Sequence, residues 1–389
     1  MEIIKEQAIT DIAENLGISK EYVKFDENKE IYTIKDNNNL KKIHIKKFNC
    51  KLYEQYNLSF TKCVFECEIK DTRGLSLNIG NKIFFLKCDF ENKIIFFNLY
   101  FKNISFILCN FKNETTFQAC TFKTFCNFES SIFEHFISFD QSTFLDKVSF
   151  YNTYFYKLPH FSRVTFKGDL IATNINLNFD FDELESKIRK GDINFIEYRI
   201  KQDEKPLDKF ANDFRDSFRT FKNALIKDNN LLDASNFHKY ELYCKEIELN
   251  SKKPKKFSKE WLDKYQLMFY RKLCDHHTNL ILNLKWLIYV IALYILLLGK
   301  IFFMYPLCIV ILMVCKYFFK IKNIKVFVSL AIIFMSVCSE PKLIFGVSNL
   351  FLDDLNWWQN LVTAIYILTI ALVLFSLQKT ARKNSIVPS

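Results

Sequence analysis

Phenylalanine recurs along this chain with a rhythm that neither an α-helix nor a flat strand requires. It stands at Phe111, Phe117, Phe122, Phe128, Phe133, Phe139 and Phe144, in steps that alternate between six and five residues. Set in rows of eleven from Phe111, the sequence reads FKNETTFQACT, FKTFCNFESSI, FEHFISFDQST, FLDKVSFYNTY and FYKLPHFSRVT, with Phe in the first and seventh columns. Phe150, Phe155, Phe161 and Phe166 carry the series downstream. Phe85, Phe90, Phe96, Phe101 and Phe106 carry it upstream with one shorter step, and a weaker start stands at Phe60 and Phe65. A short fixed period marks a solenoid.

The position two before each first-column Phe, or its equivalent half a row away, holds a compact residue: Cys88, Leu99, Cys109, Cys120, Ser131, Ser142, Thr153 and Val164. Residues just after the Phe are mostly polar, as at Lys112, Lys123, Glu134 and Asp146. Each unit therefore offers one large inward group, one small inward group and a polar outer edge, which a short strand with alternating faces provides. Four such sides form a coil of about 22 residues that rises roughly 4.8 Å per turn, with Phe stacked on Phe inside. An amphipathic helix also matches an eleven-residue period. However, Phe, Thr, Ser, Asn and Cys are poor helix formers, and Ala and Leu are nearly absent.

These rows resemble the pentapeptide-repeat family in a Phe-rich variant with eleven-residue double units. The resemblance covers about residues 60–170 and implies a right-handed quadrilateral β-helix. Asp89, Asn110 and Asn127 match the family's usual Asp or Asn before the Phe, whereas Thr121, Ile132 and Thr143 depart from it. Pro159 and His160 before Phe161 predict an irregular last coil. Some soluble members act as DNA mimics on topoisomerases, a role that needs a strongly acidic rod. Residues 60–170 are close to neutral, which ranks that role last.

The rest of the 389 residues divides around this block. Residues 1–59 read as an N-terminal helix, ended near Gly17, followed by short strands. The polar start MEIIKEQAITDIAENLGIS lacks the basic opening and apolar run of a signal peptide, so this half is expected in the cytosol. Twelve scattered Cys without a CxxC pair suit a reducing compartment. Those in the small column read as core fillers. Cys63 and Cys67, and likewise Cys274 with His276 and His277, lack a second ligand pair, so no metal or cofactor is expected.

After the expected β-helix at 60–175, residues 176–257 carry helical spacing. Phe210, Phe214, Phe218, Phe221 and Leu225 form one stripe, and Leu231, Ala234, Phe237, Tyr240 or Glu241, and Cys244 a second, with Asn229 and Asn230 as the turn. The hairpin is loosely similar to one tetratricopeptide unit. Arg215, Arg219, Lys222, His238, Glu241 and Glu246 mark a polar face. A solvated face that caps the solenoid's open end is the first reading, and a peptide groove the second.

The formal net charge of +11 lies almost wholly downstream of residue 180. Residues 258–283 read as a basic interfacial helix. Lys252, Lys253, Lys255, Lys256, Trp261, Arg271 and Lys272 are the candidate contacts to anionic lipid headgroups, with Tyr265, Met268 and Phe269 on the Trp261 face. Nucleic acid would use the same charge, but the place beside a bilayer disfavours it and none is expected.

Residues 284–378 then read as an all-α transmembrane region. Its apolar segments run at about 284–303, 305–319, 324–339 and 359–377, of which the first and last have full spanning length. Basic clusters before the first segment, at Lys316–Lys325 and in the 379–389 tail fall on one side only with four spans and both ends cytosolic, as in a bacterial-type inner membrane. Lys300 is nearly the only ionisable group in the spans, and transport pathways usually carry such groups. The 343–351 stretch lacks the carbonyl filter of potassium channels.

The sequence therefore predicts a membrane-anchored, non-enzymatic scaffold that presents its β-helix to a protein partner, through polar residues between the rings such as Lys112, Lys123, Glu134 and Asp140. A channel or transporter regulated by the repeat domain is the alternative. No nucleophile–base set, phosphate loop or metal-ligand spacing favours an enzyme.

Overall fold

The structure, a computed structural model, describes residues 2–37, 41–73, 77–177, 179–196, 207–298, 324–339 and 356–382. The chain divides into two compact units, Met1–Glu260 and Trp261–Pro388.

The first unit opens with α1 (Glu2–Leu16), which ends where Gly17 takes a φ of +67° that an L side chain resists. Ile12, Ala13 and Leu16 are its buried face. Val23–Asp26 then pairs antiparallel with Ile31–Ile34. From Ile31 onward the strands pair parallel, Ile34 on Phe60, Phe60 on Phe85 and Phe85 on Phe106, and the chain winds a β-solenoid of about six turns.

The solenoid begins one coil earlier than the Phe pattern suggests. Its first coil holds Ile34 beneath Phe60 and Ile45 beneath Phe65, both aliphatic and buried. A branched aliphatic side chain fills the same slot and leaves no aromatic mark in the sequence. The same coil includes a short helix, α2 (Leu52–Gln55), with Tyr53 buried.

Inside, the rings form four ladders. One runs Phe60–Phe85–Phe106–Phe128–Phe150, the second Phe65–Phe90–Phe111–Phe133–Phe155, the third Phe96–Phe117–Phe139–Phe161 and the fourth Phe101–Phe122–Phe144–Phe166. Successive ring centroids are 4.5–5.6 Å apart, with planes within 20° except for Phe96 over Phe117 at 40°. Rings of neighbouring ladders meet edge to face, as Phe117 does Phe122 at 62°. Aromatic pairs favour both geometries. From Phe85 to Phe161 these rings are buried, and Phe166 at the end is half-buried.

The six-and-five rhythm comes from two kinds of corner. After the first and third ladders, the second residue past the Phe takes the left-handed conformation: Leu108 (φ 56°), Ala119 (53°), Ser130 (53°), Gln141 (60°), Asn152 (54°) and Arg163 (56°). The N–H of Ser142 closes that turn on the Phe139 carbonyl at 2.9 Å, a type II pattern that reaches the next ring in five residues. The corners after the other two ladders lack this conformation and take six. The single short step has its own cause. Phe101 pairs with Ile79 but Asn103 with Lys82, so the coil below carries one more residue at that corner.

The small column supplies hydrogen bonds between coils. Ser131 donates to the Phe106 carbonyl at 3.0 Å and Ser142 to Phe117 at 2.7 Å. The Cys88 and Cys109 thiols do the same to Phe60 and Phe85, both at 3.5 Å. These thiols act as larger, weaker serines rather than as ligands.

Three helices follow: α3 (Phe181–Ile196), α4 (Leu207–Lys227) and α5 (Leu231–Lys252). Asn229 (φ 57°) makes the turn, and Asn230 caps α5 by accepting from the Asp233 N–H at 3.3 Å. The hairpin of α4 and α5 closes the solenoid's end. By the register of Ser149 on Ile171, the first ladder should continue at residue 172, which is Ala172. The missing ring leaves room for Phe221 of α4, whose ring meets Phe161 at 4.8 Å and Phe150 at 6.3 Å. Ser217 accepts the Phe161 N–H at 3.0 Å, so a free strand edge is satisfied inside the cap.

In the second unit, α6 (Lys259–Cys274, its first two residues belonging to the first unit) precedes α7 (Leu280–Leu298). Ala292 and Ile295 of α7 pack on Val328 and Ile332 of the Ile324–Ser339 helix. Tyr294 and Leu298 pack on Val362 and Tyr366 of the Trp357–Ala381 helix. Two of these helices, Leu280–Leu298 and Trp357–Ala381, are long and apolar enough to cross a membrane; a shorter apolar stretch is Lys325–Phe334. The expected segments at 305–319 and 343–351 lie outside the described residues.

Candidate interaction surfaces

With its ladders closed, the solenoid leaves only its outer faces for chemistry. Of the polar residues singled out between the rings, Lys112 pairs with Glu91 at 2.8 Å, Glu134 accepts from Asn110 at 2.8 Å, and Lys123 is exposed. Asp140 is a correction. It is 1% exposed, and Arg163 of the next coil holds it through contacts of 2.9 and 2.6 Å. A position that reads as a polar edge in one coil is roofed by the coil above.

Apolar side chains are exposed on two neighbouring sides, Leu86, Leu108 and Tyr151 just after first-ladder rings and Tyr154 and Tyr156 around Phe155 of the second. Tyr154 precedes and Tyr156 follows inward-facing Phe155, and both are exposed. They border a cleft of about 660 Å³, whose other walls include Asn152, Asn174, Asn176, Glu183, Lys187, Asp233 and Asn236. Lys187 is committed there. Its amino group lies 2.7 Å from Glu183 and 3.9 Å from the Phe179 ring centre.

The polar face predicted on the hairpin forms inter-helix ion pairs. Arg219 and Lys222 of α4 each reach Glu241 of α5 at 2.8 Å, with His238 at 3.5 Å. Arg215 reaches Glu248 at 2.5 Å, and Lys245 and Lys252 join that carboxylate at 3.1 and 2.6 Å. Burial works against ionising Glu241, but hydrogen bonds from His238, Lys222 and Arg219 outweigh it and hold the carboxyl at about 2. Glu246 is buried as well.

One polar cluster carries no sequence signal. Asp71 occupies the third-ladder slot beneath Phe96. Its carboxylate is buried, accepts the Tyr53 hydroxyl, and pairs with Arg73 at 2.5 Å, which also reaches Glu54 at 2.6 Å. Burial opposes ionisation of Asp71, yet these bonds keep its carboxyl below the ordinary value. Burial likewise pushes the nearby Cys50 thiol up to about 11.

The lipid-contact candidates fall in both units. Lys252 is engaged by Glu248, Lys253 takes a left-handed φ of 47° after α5, and Lys255 and Lys256 are exposed. In α6, the Trp261 and Tyr265 ring centres lie 4.4 Å apart with their planes tilted at 49°, Lys272 is exposed and Arg271 is half-buried. Leu262, Tyr265 and Phe269 form the exposed apolar stripe, while Met268 is half-buried.

Three consecutive left-handed residues, Asp275, His276 and His277, turn α6 into α7. Cys274 lies 3.5 Å from His277, and Asn283 donates to Ser376 at 3.0 Å. Among the described residues, no three His, Cys, Asp or Glu side chains converge to hold a metal ion.

Searched against protein-family models, curated proteins and solved structures, the chain matches none of them.

Proposed function

We propose that this chain is a membrane-anchored member of the pentapeptide-repeat kind. In this reading its right-handed, four-sided β-helix serves as a non-enzymatic docking scaffold beside the bilayer. The observation that carries the reading is the contrast between the chain's two parts. The solenoid turns its ladder phenylalanines inward, whereas α6, α7 and the Trp357–Ala381 helix leave large apolar side chains such as Leu262, Ile281, Leu368 and Phe375 outward. Exposed apolar surface on that scale suits lipid.

The anchor is a four-span region of a bacterial-type inner membrane with both termini in the cytosol. The Lys252–Lys256 cluster and α6 meet anionic headgroups. The partner is a protein, met on the outer faces of the coils.

Two measurements test this. The full chain should stay with membranes after alkaline carbonate washing; release into the wash overturns the anchor. Proximity labelling should give different partners for the full chain and for a version lacking residues 60–170; identical lists overturn the scaffold. Ion flux through liposomes carrying the chain would favour the channel alternative instead.

A further inference from the structure

We infer that the cleft beside Tyr154 and Tyr156 is a docking groove for an extended peptide segment carrying a basic side chain. This deepens the scaffold reading and rests on it.

The cleft lies where the coils stop. Tyr154 pairs with Asn176 through a single bridge. Beyond that bridge the chain is drawn towards the hairpin, where Tyr240 donates to the Leu177 carbonyl at 2.9 Å and accepts the Phe179 N–H at 3.3 Å. A sheet that ends in an accessible groove is the geometry in which an added strand pairs by main-chain bonds. Tyr154 and Tyr156 repeat at two residues, about 6.6 Å, which matches alternate side chains of an extended peptide. They are 41% and 61% exposed. Tyrosine gives large contact area at low entropic cost, and asparagine offers a donor and an acceptor that match a peptide amide. Asn152, Asn174, Asn176 and Asn236 all line the cleft.

Charge selects the ligand. Glu183 neutralises Lys187, which leaves Asp233, among the described residues, as the acid of the wall without a cationic partner. Asp233 also closes the α5 cap with Asn230, so its carboxylate is fixed in place. A peptide with Arg or Lys near Asp233 fits, and an acidic one is repelled.

The test is a displayed library of random heptapeptides selected on the full chain in nanodiscs, followed by binding of the enriched peptides by fluorescence anisotropy. The enriched sequences should alternate apolar and polar residues around an Arg or Lys. Tyr156→Ala and Asn236→Ala, both at exposed positions, should each weaken binding about tenfold or more with an unchanged melting curve. Asp233→Asn, which keeps the cap, should remove the preference for a basic centre. Enrichment unaffected by Tyr156→Ala, enrichment of acidic peptides, or cellohexaose binding with no peptide enriched overturns the groove. Proximity-labelled partners that depend on residues 60–170 but not on Tyr156 leave the scaffold standing and remove the cleft.

Discussion

Phe221 stands edge-on to Phe161, with ring planes at 88° and centroids 4.8 Å apart. The last full ring of the third ladder is thus covered by a helix rather than by another coil. The hairpin is therefore an integral part of the solenoid's core.

Removing the covering ring should loosen the end of the rod first. Phe221→Ala should cost about 3–5 kcal/mol, as should Phe128→Ala in mid-ladder. Hydrogen exchange distinguishes the two. Phe221→Ala should raise exchange first around residues 148–171, and Phe128→Ala around the coils that touch it. An effect within error at either position would contradict its inward placement.

The left-handed corners carry strain that sequence change can relieve. Ala119 and Leu108 hold φ of 53° and 56°. Replacing Leu108 by Asn, or Ala119 by Gly, removes a penalty of about 1–2 kcal/mol and returns part of it as unfolded-state entropy. A net gain of about 0.5–1 kcal/mol is expected in urea unfolding. Lower stability in both variants would sink this account of the corners.

Thiols in the small column should be exchangeable for hydroxyls. Ser131 already makes, one coil on, the bond that Cys109 makes to Phe85. Cys109→Ser should shift stability by less than about 1 kcal/mol, whereas Cys109→Leu overfills the slot at about 1–3 kcal/mol. Equal losses for the two would show that the hydrogen bond is irrelevant there.

The hairpin should weaken in acid. Glu241 titrates at about 2 in the folded chain against an ordinary 4.5, so the folded state favours the ionised form. Its contribution is fully present above 4.5 and fades as pH falls towards 2. Glu241→Gln should therefore lower the melting temperature near neutrality, and the gap to the parent chain should close between pH 4.5 and 2. A gap independent of pH would assign the loss to packing.

The solenoid was legible in the sequence wherever Phe fills the ladder, because one ring type repeats in steps of six and five among residues that form helices poorly. It was illegible in the first coil, where Ile34 and Ile45 hold the same slots, and beneath Phe96, where a carboxylate held by Tyr53 and Arg73 replaces a ring. The charged residues of α4 and α5 were visible as a face. Their pairing was not, since Arg219 meets Glu241 only once the hairpin's register is set. Asp140 failed for a related reason: its burial depends on Arg163, 23 residues later. The cleft at Tyr154 joins residues from the last coils, α3 and α5, and no local pattern links them.

The Ala172 gap bears on how such a rod changes length over time. Both ends are closed by pieces that do not repeat, and the coils from Phe106 onward follow a 22-residue beat, as from Phe122 to Phe144 to Phe166. Duplicating or deleting one whole beat would move the caps apart or together by about 4.8 Å without altering either junction. A gene can therefore stretch or shorten this protein by recombination within the repeats, while one small residue keeps marking where counting stops.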